Sequence, residues 1–558
     1  MRKIDDEIQA LLSEHRGDIR SILKDNHRLD LLYALSSQRE LLLEWYDFEP
    51  EAEVLQVGAD YGALTGLLRS SVSAVTVLDE TESALETVRQ RYPGAANIYY
   101  RKDSLAGYAA EACAEGKKYD YVIFAGTLTA PYEKHIHAAK SLLKPDGILI
   151  VALANALGMK YFAGTVEEEN ALTKRQLAEL LCGDKETQSM ADESGTLKFY
   201  YPMPDYKTPV SIYSDAYLPK KGDLTRVTPA YDYPPYHLME QGEKFDTVCE
   251  AGLFDLYANS YLVFWSADPK QRQKDDERIF IKYNKTRREE FQIKTCICER
   301  NVIGAAGASG AAGADATGNS AAGKKERYVE KAALSLDGSA HIASFKEKYE
   351  KLTKQHRTLK VAEPKFAEHR NSVFFPYLVG ETCAEKLGEQ LEGGQLPLDV
   401  LQIVMNQIYD ISPECRSAFV RTADFDEVFG ADLTEEEQNL LLSDTACEVS
   451  NIDALFENML MTREGIYCLD YEWVFLFPVP EHFVKYRILY YFYEQYSSVL
   501  KQLTLDQILG YFGITPEMAE VYRRMEENFQ SYVHGENQEL YLGNYMVYSR
   551  TVRDIRQT

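Results

Sequence analysis

Residues 53–68 read EVLQVGADYGALTGLL. Five strand-like residues run into a turn holding Gly58 and Gly62, and the apolar positions that follow recur at helical spacing. Glycine lets the main chain approach a ligand closely, and the helix start beyond it offers free amides at the positive end of the helix dipole. Downstream, AVTVLDE (74–80), YDYVIFAG (119–126) and GILIVALA (147–154) alternate with the amphipathic stretches SALETVRQRY (83–92) and HIHAAKSLL (135–143). Strand-length apolar runs separated by helical patterns predict an α/β domain, a parallel sheet with helices on both faces. Asp79 closes the second run about 20 residues beyond the glycine turn, where a carboxylate can accept both hydroxyls of a ribose. Asp103, in YYRKDSL (99–105), ends another strand within reach of an adenine edge. Open parallel sheets bind ligands outside the carboxyl ends of their strands, so these three strand ends converge on one crevice.

The chain around this unit has 558 residues, with 61 Lys and Arg against 87 Asp and Glu, a formal net charge of −26. Its length suits several domains, and its 45% hydrophobic content suits real cores. The negative charge argues against broad contact with nucleic acid or anionic membrane, which need clustered Lys and Arg. Nine scattered cysteines, with no paired spacing beyond the one C-x-C at Cys296 and Cys298, read as reduced thiols of a cytoplasmic protein. No run of 18 apolar residues occurs, and the start, MRKIDDEIQALLSEHRGD, mixes charges through its apolar positions. Neither a transmembrane helix nor a signal peptide is expected.

Residues 1–48 carry helical periodicity and are expected to be leading helices. The α/β unit extends over 49–267 and takes in an insertion after its core strands, including NALGMKYFAG (155–164) and KFYYPMPDYKTPVSIYSDAYLP (198–219). Asn155, Lys160, Tyr161, Tyr201, Asp205 and Tyr206 are its acceptor-side candidates. Taken singly, each tyrosine there reads first as a packing residue of a proline-stiffened hairpin. A second domain is expected over 268–495, interrupted at 304–323 by a Gly/Ala-rich stretch too poor in apolar side chains to order itself. Residues 496–558 read as a helical C-terminal extension whose Met518, Val521, Met525 and Phe529 form one stripe, a core or partner-helix face.

The turn, Asp79, Asp103 and the segment SLLKPDGILIVAL (141–153) together resemble the class I S-adenosylmethionine-dependent methyltransferases, whose first turn reads E/D-x-G-x-G-x-G. Gly58 and Gly62 match, whereas Gln56 and Asp60 stand where a carboxylate and a glycine are usual. That resemblance implies a Rossmann-like fold and an S-adenosylmethionine pocket formed by Gln56, Gly58, Asp60, Gly62, Asp79 and Asp103.

The late segment SNIDALFENMLMTREGIYCLDYEWVF (450–475) spaces Asp453, Asn458 and Asp470 as D-x4-N-x11-D. Phosphoryl transfer needs a carboxylate near the accepting hydroxyl and oxygens to hold Mg²⁺ against phosphates. RYVEKAAL (327–334) places Lys331 in a strand, and HIASFKEKYEKL (341–352) offers Glu347 or Glu350 as its helix partner. The order Lys, Glu, hinge strand (VFFPYLV, 373–379), D-x4-N, D resembles the protein-kinase-like superfamily, especially its small-molecule and sugar kinases. By that resemblance Asp453 is the base, Lys331 the phosphate clamp, Asn458 and Asp470 the metal ligands, and ATP with Mg²⁺ the cofactors. Asn451 replaces the usual His, no glycine-rich loop is visible, and Glu472 of DYEW stands where protein kinases carry Gly.

The two modules in this order resemble bacterial bifunctional methyltransferase-kinases of O-antigen capping. More widely, Lys160 to Gly164 and Asp470 to Trp473 resemble LPYFAG-like and DYEW-like segments of glycan-modifying methyltransferases. The resemblance implies a glycan or phosphoglycan substrate and contact with polysaccharide-assembly proteins. The degenerate positions leave open a non-catalytic scaffold or glycan-binding protein of such an assembly.

Overall fold

The computed structural model describes residues 2–183, 197–224, 236–268, 276–302, 324–367, 371–392, 398–497, 499–500, 503–537, 540–541 and 550–551. The Gly/Ala-rich stretch at 304–323 lies outside the described residues. The chain forms two compact units: 1–285 with 296–326 and 537–558, and 286–295 with 327–536. The break expected at 267/268 therefore falls inside the first unit.

The strands of the first unit include β1 (Glu53–Val57), β2 (Ala74–Asp79), β3 (Ile98–Lys102), β4 (Tyr119–Ala125), β5 (Leu143–Ala154), β6 (Leu197–Met203), β7 (Ser211–Ser214), β8 (Ser260–Ser266) and β9 (Asp276–Tyr283). Their order in the sheet is β3-β2-β1-β4-β5-β8-β6-β7-β9. The pairs among β1 to β5 are parallel, as expected. From β5 onward every pair is antiparallel, which makes the fold mixed α/β. Neighbouring residues of one strand, such as Leu55 and Val54, Val122 and Ile123, or Leu149 and Ile150, are all buried although they point to opposite faces. Burial on both faces explains their continuous apolar runs.

Helices α1 (Arg2–Glu14), α2 (Ile19–Asp25) and α3 (Leu29–Leu35) precede β1. They bury Ile8, Leu12, Ile22, Leu23, Leu31 and Leu35 in a cluster of their own, which also takes Leu540 and Tyr541. Helix α4 (Thr65–Ser71) follows the glycine turn, and α5 (Glu82–Arg91) follows β2. Next, α6 (Leu105–Ala114) is capped by the Ser104 hydroxyl, which accepts from the Gly107 amide at 3.1 Å.

The second unit has its own core. It contains the strand β10 (Lys324–Ala333) from Arg327 onward, the part that carries Lys331, and β11 (Ser372–Pro376), antiparallel to it. Helix α7 (Ser339–Gln355), the hairpin β12 (Met459–Thr462) and β13 (Gly465–Cys468), and α8 (Glu481–Tyr496) follow. Helices α9 (Leu505–Tyr511) and α10 (Pro516–His534) are expected in a separate extension, yet they pack in this core. Val521, Met525 and Phe529 are fully buried there, so the stripe is a core face.

Candidate functional site

The sheet order reverses direction between β1 and β4, and a crevice opens outside the strand ends at such a switch point. Gly58 ends β1 with φ +89° and donates its amide to the Leu78 carbonyl at 2.8 Å. A Cβ there would collide with the Thr127 side chain at the end of β4, whose hydroxyl donates to the Val57 carbonyl. Gly62 also sits at positive φ, +73°. Between them Asp60 and Tyr61 adopt φ +40° and +56°, a left-handed geometry that costs side-chain-bearing residues about 1–3 kcal/mol each. Two arginines hold it. Arg39, almost fully buried, pairs with the Asp60 carboxylate. Arg91 donates to the Tyr61 carbonyl at 3.0 Å and to the carbonyls of Ala34 and Leu35.

The two unusual residues of the turn are thus engaged by the protein itself. The Gln56 amide donates to the carbonyls of Gly58 and Ala59 at 3.1 and 3.3 Å, while its oxygen accepts from the Thr65 hydroxyl at 2.8 Å. A carboxylate could not donate to either carbonyl. Asp79 accepts from the Ala59 amide at 3.0 Å and from the Thr81 amide at 2.9 Å. Asp103 accepts from the Ser104 amide at 2.7 Å. Asp79 and Asp103 are half-buried at consecutive strand ends.

In the insertion, three of the six candidates, Lys160, Tyr161 and Tyr206, meet at a residue the motifs did not single out, Glu168, and a fourth, Asp205, is joined to it through Lys160. Lys160, fully buried, donates to Glu168 at 3.0 Å and to the buried Asp205 at 3.3 Å. Tyr206 donates to the other Glu168 oxygen at 3.1 Å, and the Glu168 amide donates to the Tyr161 hydroxyl at 3.3 Å. Lys207, also missed, pairs with Glu168 at 2.8 Å. Burial alone would raise the Glu168 carboxyl, but Lys160 and Lys207 hold it down at about 2. Tyr206 lies against the end of β4, so that a Cβ on Gly126 would come 2.6 Å from its hydroxyl oxygen. Asn155 is elsewhere engaged, donating to the carbonyls of Leu256 and Ala258, which makes it an anchor of the loop. Tyr201 belongs to a separate cluster with Lys174 and Asp215. Glu168 carries only a weak sequence signal, the run EEEN at 167–170.

In the second unit Lys331, Asp453, Asn458 and Asp470 come together. Lys331 donates to Asp470 at 2.7 Å. Asn458 donates to the Asp453 carbonyl at 2.9 Å, and the Asp453 carboxylate accepts from the Trp473 amide at 2.8 Å. Burial, with the charge of Asp470, raises the Asp453 carboxyl to about 7. Asn451, in the usual His position, accepts from the Asp453 amide at 3.0 Å. The expected helix partner of Lys331 is not found: Glu347 and Glu350 are exposed on α7. Among the described residues no group of three or more His, Cys, Asp and Glu side chains is placed to hold a metal ion. Asp470 and Asn458 supply two protein oxygens, which fits Mg²⁺ only where phosphates complete its shell.

No family model and no curated protein matches the chain. Among solved structures, part of it resembles the N-methyltransferase NodS from Bradyrhizobium japonicum WM9 in complex with S-adenosyl-L-homocysteine, with 19% identity over 26% of this chain and 71% of that one, at TM-score 0.19. Phosphoethanolamine N-methyltransferase 1 of Haemonchus contortus is 16% identical over 36% and 45%, at TM-score 0.25. The amino pentose methyltransferase CalS10 of Micromonospora echinaspora is 18% identical over 21% and 50%, at TM-score 0.17. At these scores the likeness assigns neither activity nor substrate to this chain.

Proposed function

We propose that the first unit binds S-adenosylmethionine in the β1/β4 crevice and methylates a glycan or phosphoglycan. The observation that carries this reading is the turn itself, set at the switch point by Gly58 at positive φ, with Asp79 and Asp103 at the next two strand ends. S-adenosylmethionine supplies a methyl group on a sulfonium, which needs little more than an aligned acceptor and exclusion of water. In this reading the Gly58 and Gly62 main chain approaches the cofactor, Asp79 and Asp103 take the ribose and adenine, and Arg39 draws the Asp60 carboxylate aside. Tyr206, held by Glu168, is the acceptor-side candidate that packs on Gly126 at the end of β4, and Lys160, itself paired with Asp205, fixes Glu168. The glycan class comes from the resemblance of the motifs. Calorimetric titration with S-adenosylhomocysteine tests the proposal: saturable binding is expected, and absence of heat up to millimolar ligand overturns it.

A second reading concerns the second unit. The convergence of Lys331, Asp453, Asn458 and Asp470 favours phosphoryl transfer from ATP. Asp453, its carboxyl raised to about 7, is suited to accept a hydroxyl proton, Lys331 to meet phosphate, and Asp470 with Asn458 to hold Mg²⁺. Mg²⁺-dependent ATP binding that Asp470→Ala abolishes is expected; equal binding by both proteins removes this reading.

A further inference from the structure

We propose that Glu472 is the carboxylate that positions Lys331, a task sequence spacing assigns to helix α7. The proposal rests on the phosphoryl-transfer reading of the second unit. Helix α7 packs with His341, Phe345 and Lys348 buried, residues spaced by four and three on one helix face, while Glu347 and Glu350 are exposed. The buried face therefore offers no carboxylate. It carries an imidazole and an ammonium instead, and both reach the DYEW loop: His341 Nε2 lies 2.8 Å from Glu472 Oε1, and Lys348 donates to the Glu472 carbonyl.

Glu472 itself is 3% exposed. Arg287 donates to its carboxylate, and Lys331 Nζ lies 3.9 Å from its second oxygen. A carboxylate removed from water needs such partners, since burial without them is costly. Three cationic side chains and one imidazole thus close around a single loop residue. The polarity of the usual arrangement is exchanged: the loop gives the acid and the helix gives the bases.

The geometry also separates the two carboxylates near Lys331. Asp470 holds the ammonium directly, yet its side chain is 36% exposed, whereas that of Glu472 is 4% exposed. Once Asp470 turns to a metal ion, Glu472 is the remaining carboxylate paired with Lys331 among the described residues. An acid fixed by Arg287 and His341 can keep the lysine aimed while Asp470 changes partner. Glu472 acts through Lys331 and is a positioning residue.

Two measurements on the full chain test this. In titrations with ATP and Mg²⁺, Glu472→Gln is expected to weaken binding by about 10-fold, because the charge 3.9 Å from Lys331 Nζ is lost and the ammonium is no longer held in aim. Glu472→Asp should recover most of that loss, and Glu347→Gln with Glu350→Gln should change nothing. Unchanged binding by Glu472→Gln, or loss in the helix double variant, overturns the proposal. The second measurement needs no nucleotide: acetylation of Lys331 by acetic anhydride, followed by peptide mass spectrometry. Lys331 should react at least threefold faster in Glu472→Gln than in wild type or Glu472→Asp, with thermal unfolding showing that each variant is folded. An unchanged rate overturns the tie between Glu472 and Lys331 even if wild type binds no ATP, a result that would remove only the phosphoryl-transfer reading.

Discussion

The two candidate sites depart from their motifs in opposite ways. At the β1 turn the unusual residues Gln56 and Asp60 are engaged by nearby carbonyls and by Arg39, and the course of the main chain is set by Gly58 and Gly62 at positive φ. In the second unit the unusual residue, Glu472, gathers partners from three separate segments, and the site consists of opposed charges. A site made of backbone is broken by adding atoms. One made of side chains is broken by removing a charge.

The sharpest way to break this contrast is Gly58→Val. Strain at φ +89° and overlap with Thr127 should together cost about 4 kcal/mol, seen as a lower denaturant midpoint and loss of S-adenosylhomocysteine binding. Gly94 provides the control. It has φ +73° but no atom within 4 Å of an added Cβ, so Gly94→Ala should cost only about 1 kcal/mol.

A smaller effect than that of Gly58→Val is expected from Glu168→Gln, and it should depend on pH. The folded carboxyl is held near 2, below its unfolded value of about 4.3, so its stabilisation is complete above about pH 5 and is lost as pH falls toward 2. Wild type should exceed the variant by up to about 3 kcal/mol at pH 7, with the gap closing in acid unfolding curves. A constant gap would mean that packing, not charge, holds the Lys160 cluster. Next comes Gln56→Glu, which restores the usual acid but sets it against two carbonyls. It should destabilise the first unit by about 2 kcal/mol, read as a lower denaturant midpoint.

Much of this was legible in the sequence where the signal is local. The turn at Gly58, the parallel strands up to β5 and the lysine strand at Lys331 follow from spacing and periodicity over ten or twenty residues. The antiparallel order beyond β5 was not, because strand pairing there depends on which edges meet after folding. Glu168 was hidden because two of its partners, Tyr206 and Lys207, lie some forty residues away and no periodic pattern joins them to it. Glu472 was read as a departure at a glycine position; only the packing of α7 turns it into a partner for Lys331.

The Arg91 guanidinium joins the Tyr61 carbonyl to those of Ala34 and Leu35, so one side chain grips both the glycine turn and the last turn of α3. The leading helices are therefore a brace rather than an appendage. Trimming the chain to its sheet would let Asp60 and Tyr61 relax out of their left-handed geometry and loosen the glycine turn from a distance.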